Sequence, residues 1–99
     1  MKKTVSEQEM NKLVEANDSV RGTNDYMKYH MMAEYKTKRD GKWSKWNFLS
    51  WGVPVPFDMT VKKVGENVFL MREGVNCMGE EEITRYTLTE SVNQILNVV

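Results

Sequence analysis

"YKTKRDGKWSKWNF", residues 35–48, sets Tyr35, Trp43, Trp46 and Phe48 among Lys36, Lys38, Arg39, Lys42 and Lys45, around a single Asp40-Gly41 pair. Asp-Gly suits both central positions of a type I′ turn, where each residue needs positive φ. The stretch therefore predicts a β-hairpin with a two-residue loop. In that register Arg39 faces Lys42, Lys38 faces Trp43, Thr37 faces Ser44 and Lys36 faces Lys45. Further from the turn, Tyr35 faces Trp46, Glu34 faces Asn47, Ala33 faces Phe48 and Met32 faces Leu49. Side chains alternate across a strand and directly opposed residues share a face. Tyr35, Trp46 and Phe48 thus belong to a packing face, and Trp43 stays among Lys36, Lys38 and Lys45 on the other. One residue of slippage inverts this division for one strand.

Moving outward, Ser6-Glu7-Gln8-Glu9 has the spacing of a capping box, with Val5 placed to staple onto Met10. Met10, Leu13 and Val14 make a short apolar stripe that Asn17-Asp18-Ser19 dissolves, which predicts a helix of about three turns. Residues 21–32 are ambiguous between helix and strand, and a short helix or turn that becomes a strand near Met31 is expected. Two prolines within Trp51-Gly52-Val53-Pro54-Val55-Pro56-Phe57 exclude a central strand and predict a stiff connector or edge. A second hairpin spans Met59 to Met71 around Gly65-Glu66, and the acidic stretch from Glu73 to Glu82 is expected to be a long loop. A last strand covers Ile83 to Leu88. Thr89 then caps a helix whose Val92, Ile95, Leu96 and Val99 form one stripe. The pattern predicts an α+β fold in one domain over 1–99: an antiparallel sheet of about five strands, from two hairpins and one strand, packed with an N-terminal and a C-terminal helix.

Composition is that of a globular chain: 99 residues, 40% hydrophobic, 28% charged, formal charge zero. A domain of this size buries roughly 60–70% of the surface its unfolded form exposes, enough for one modest core. The lysines of the amino terminus precede no apolar run, and the longest apolar stretch is the four residues of VFLM, so neither secretion nor a membrane partner is expected. Cys77 is the only cysteine and His30 the only histidine, which leaves no disulfide and no zinc set; a reducing, cytoplasmic location fits. Charge is unevenly spread. Residues 21–46 carry seven basic and three acidic side chains, a balance of +4, and the remainder carries −4.

Little here supports catalysis. His30 has no spacing that selects an acid or a nucleophile, Cys77 lies among glutamates that oppose a reactive thiolate, and Glu80-Glu81-Glu82 lacks the ordered ligand spacing of a calcium loop. The six glycines are dispersed and form no phosphate cradle. We therefore expect no catalytic residues, no metal and no cofactor. The expected function is that of a small noncatalytic module that binds another protein, of the general character of accessory regulators or inhibitors from viruses and mobile elements. The candidate contacts are Lys36, Lys38, Arg39, Lys42, Trp43 and Lys45 on the hairpin, with Trp51 and Phe57 on the connector. The alternative is a single-stranded nucleic-acid binder in which Trp43 stacks a base and the hairpin cations follow the backbone.

Overall fold

The computed structural model describes residues 3–98. In chain order these form α1 (Glu7–Ser19), β1 (Met31–Arg39), β2 (Lys42–Trp43), β3 (Asn47–Gly52), β4 (Thr60–Val64), β5 (Asn67–Val75), β6 (Glu81–Thr87) and α2 (Glu90–Leu96). All strand pairs are antiparallel. β2 and β3 share one flank of β1, and across the sheet come β1, β6, β5 and β4. The class is α+β, as the sequence pattern predicts.

Both helices start where their caps dictate. The Ser6 hydroxyl accepts from the Glu9 amide at 3.2 Å, and the Glu9 carboxylate accepts from the Ser6 amide, which satisfies two of the donors a helix start leaves open. Thr89 does the same for the Val92 amide at 3.3 Å. α2 ends at Asn97, whose φ of 53° is left-handed, a conformation asparagine tolerates better than most residues. Val99, expected on the apolar stripe of α2, lies outside the described residues.

Register explains the layering. Ser50, Ala33, Tyr86, Leu70 and Val61 stand in one row across the strands, and Phe48, Glu34, Arg85, Met71 and Thr60 make the neighbouring row on the opposite face. The first face is covered: Met10 and Leu13 of α1 and Val92 and Leu96 of α2 pack with Met31, Val61 and Leu70 into one buried cluster. Each such aliphatic side chain contributes about 1.5–3 kcal/mol by leaving water. The second face carries no helix. It is the open face of the sheet.

Two expectations are corrected. The acidic stretch is not a ten-residue loop, because β5 and β6 stay paired as far as Val75 opposite Glu81. The turn is confined to residues 76–80, where the Asn76 side-chain oxygen accepts from the amides of Met78 and Glu80 at 2.9 and 3.0 Å. The hairpin register also changes partway. Asp40 and Gly41 have φ of 53° and 76°, as a two-residue type I′ loop requires, and Lys38 faces Trp43 as expected. Beyond Ser44, however, Tyr35 faces Asn47 and Glu34 faces Phe48, and a second shift sets Ala33 opposite Ser50 and Met32 opposite Trp51. The cause of the first shift is local. The Ser44 hydroxyl takes the Thr37 amide at 3.1 Å and donates to the Lys45 carbonyl at 2.9 Å, and the Asn47 amide group donates to that carbonyl at 3.0 Å. The Ser44 amide still donates to the Thr37 carbonyl at 2.8 Å, but the side-chain bonds take the place of the return ladder bond there and accompany the one inserted residue. Trp46 and Phe48 are thereby moved from the packing face to the open face, while Tyr35 keeps the helix-covered side.

Candidate functional site

β1 and β6, at the middle of the sheet, project Glu34, Lys36 and Arg85 onto the open face, and β5 adds Phe69 beside them. The hairpin then lays its tryptophans over these side chains. Lys36 Nζ stands 5.2 Å from the Trp43 ring and 4.8 Å from the Trp46 ring. The Arg85 guanidinium lies 3.9 Å from the Trp46 ring and 4.7 Å from that of Phe69, and its Nε donates to Glu34 at 3.0 Å. Ring and cation therefore alternate in a ladder: Trp43, Lys36, Trp46, Arg85, Phe69. A cation over an aromatic face contributes about 0.5–2 kcal/mol, more as it loses water, and Arg85 and Glu34 are each only 20% exposed. These contacts thus cover the middle of the open face without a helix on it.

At the hairpin tip the charges of the chain's two halves meet. Arg39 forms a two-pronged bond to Glu80, and Lys38 Nζ reaches Glu81 at 3.5 Å. The guanidinium of Arg39, with help from the Asn76 side chain, holds the Glu80 carboxyl below its usual range, and Glu80 holds Arg39 above its own. The acidic turn neutralises these two cations. Lys36, Lys42 and Lys45 have no acidic partner among the described residues.

Apolar side chains occupy the margins of the open face. On β3, Phe48 and Trp51 are 60% and 56% exposed, although both are large rings. The following connector tucks Pro54 into the interior and leaves Val55 outside. Phe57 lies at the opposite margin, where with Pro56, Asp58, Thr60, Lys62 and Met71 it lines an open cleft of about 760 Å3. No charged residue occurs between Lys45 and Asp58.

The expected contacts are thus sorted by the fold. Trp43 and Lys36 stay together at one end of the open face, with Trp51 further along the same margin, whereas Lys42, opposite Arg39, falls in the register of the other side of the hairpin. Lys38 and Arg39 are taken up by Glu81 and Glu80, and Phe57 stands across the sheet from the hairpin. Arg85, Phe69 and Glu34 were not indicated by sequence, because their place depends on pairing between strands fifty residues apart. His30 is half-buried in the turn before β1, its ring 5.1 Å from that of Tyr26, and Cys77 is exposed in the acidic turn. Among the described residues no three His, Cys, Asp or Glu side chains are placed to share a metal ion, and no helix is long and apolar enough to cross a membrane. Compared with known proteins, the chain matches no protein-family model, no curated protein and no solved structure.

Proposed function

We propose that this chain is a noncatalytic protein-binding module, an accessory regulator or inhibitor that acts by laying the open face of its sheet against another protein. The observation that carries this reading is the exposure of Phe48, Trp51 and Trp43 on a face that no helix among the described residues covers, next to a hairpin whose Lys36, Lys42 and Lys45 have no acidic partner among the described residues. Exposed apolar area of this kind is what binding patches offer, with tryptophan, tyrosine and arginine as anchors and a polar rim. The hairpin specifies the partner's chemistry: an apolar surface with acidic side chains that reach the hairpin's Lys42 and Lys45.

The same geometry disfavours the nucleic-acid alternative. Trp46 already has Lys36 and Arg85 over its ring, and Lys38 and Arg39 are paired with Glu81 and Glu80, so few unpaired cations remain beside the exposed rings of Trp43, Phe48 and Trp51 to follow a strand. Counterion release would be small. Affinity capture from the native host's lysate tests the proposal. The expected result is a partner held in stoichiometric amount, lost with Trp43→Ala and with the paired charge reversal Lys42→Glu/Lys45→Glu, both variants keeping a cooperative unfolding transition. Retention of that partner by both variants contradicts this contact surface. Salt-sensitive quenching of tryptophan fluorescence by single-stranded oligonucleotides would favour the alternative instead.

A further inference from the structure

The two margins of the sheet are treated differently. The β4 edge is covered by the start of the chain: Thr4 pairs with Thr60, the Val5 amide donates to the Met59 carbonyl at 3.0 Å, and the Val61 amide donates to the Lys3 carbonyl at 2.8 Å. Lys62 and Lys63 add charge there. β3 has none of this protection. It pairs with β1 on one flank only, nothing among the described residues covers the other, and Phe48, Leu49 and Trp51 are 60%, 49% and 56% exposed along it. An open, uncharged, apolar edge is a template for another strand.

We infer that the free edge of β3 pairs antiparallel with β3 of a second copy, about a two-fold axis between Leu49 and Ser50. This goes beyond the docking face, since it uses the backbone edge; it draws Phe48 and Trp51 into the seam and leaves Trp43 on the open face free. Two features select a copy of the same chain. The first is the second register shift. Directly opposed residues of antiparallel strands share a face, so a two-fold pairing that sets Phe48 opposite the second copy's Trp51 needs both rings on one side. In a regular strand residues three apart point to opposite sides. Here Phe48 faces Glu34 and Trp51 faces Met32, both on the open side, because the chain bulges at Leu49. The pairing is therefore self-consistent in both copies. The second is charge: in this register Lys45 lies abreast of the second copy's Pro54, and no like charges face each other.

A fully exposed large aromatic offers about 150–250 Å2, so these side chains supply roughly 300 Å2 a side, well below the ~800 Å2 per partner of a standard interface. The dimer is reversible, and its dissociation constant belongs in the micromolar range or above. It would carry two open faces side by side in one continuous sheet.

Sedimentation equilibrium on the purified chain between about 1 μM and 1 mM tests this. The expected result is an apparent mass that rises toward twice the monomer mass. Leu49→Lys should abolish the rise without lowering the melting temperature, whereas Val64→Lys, on the covered edge, should leave it unchanged. A spin label at Ser50→Cys, in a Cys77→Ser background, should show a close intermolecular neighbour. A monomer throughout the range, a rise that survives Leu49→Lys, or labels far apart in the dimer would each overturn the inference. No partner protein enters these measurements, so failure here leaves the docking face standing, and failure of the capture experiment leaves the dimer standing.

Discussion

Trp46 is the residue on which the open face depends. It is neither a core side chain nor a free ring: Lys36 at 4.8 Å and the Arg85 guanidinium at 3.9 Å hold it against the sheet. Truncation removes both contacts and uncovers the partly shielded Arg85–Glu34 pair. Trp46→Ala is expected to cost about 2–4 kcal/mol in urea denaturation, toward the lower end of what buried aromatics cost. Arg85→Lys keeps the charge but loses the planar stack and the directed bond to Glu34, an expected loss of about 1–2 kcal/mol. If lysine serves as well as arginine, the ladder is only a row of charges. Sequence reasoning placed Trp46 inside because alternation from a two-residue turn requires it. Nothing adjacent in the chain signals Arg85, whose neighbour Glu34 comes fifty-one residues earlier.

At the level of elements, the hairpin separates what its turn decides from what its strands decide. Asp-Gly determined the loop and the first pairs correctly. Gly41 has φ of 76° with open space where a Cβ would be, so Gly41→Ala should cost about 1–2 kcal/mol through backbone conformation alone. The bulge after it comes from a serine that bonds the backbone, a competition that spacing rules do not capture. Ser44→Ala removes the acceptor of the Thr37 amide, and hydrogen exchange at that amide should accelerate relative to the other amides of β1. If its protection is unchanged, Ser44 does not cause the register shift. The clasp between hairpin tip and acidic turn makes a prediction with pH. Because Arg39 lowers the Glu80 pKa in the folded chain, the clasp stabilises fully above the ordinary carboxylate range and loses its contribution as pH falls through the lowered folded value. Carbon NMR titration of the Glu80 carboxyl should show this low midpoint, and Arg39→Gln should move it upward.

Across the whole molecule, the fold was legible wherever local chemistry carries the signal. The capping residues Ser6 and Thr89, the turns at Asp40-Gly41 and Gly65-Glu66, and the break at Pro54 and Pro56 are short-range features, and the structure has each in place. Which strands become neighbours beyond the two hairpins was not legible. The pairing of β1 with β6 brings the chain's basic and acidic segments together, and this decides that Lys38 and Arg39 meet acidic side chains while Lys36, Lys42 and Lys45 meet none among the described residues. Among the candidate contacts, Lys38 and Arg39 therefore have acidic partners within the chain. The covered face holds the molecule together, with Leu70 and Leu96 fully buried at its centre. The open face keeps large rings in water, a cost that a partner would relieve.

The most direct test of that claim is fluorine NMR of the chain labelled with 5-fluorotryptophan, recorded in buffer and in lysate of its native host. Three resonances are expected, one each for Trp43, Trp46 and Trp51. Docking on the open face predicts that Trp43 and Trp51 shift or broaden saturably, more than Trp46 between its two cations, and that lysate of an unrelated host has no such effect. Trp43 and Trp51 signals unchanged in native lysate, or changed equally in the unrelated one, would contradict a protein-docking role for this face.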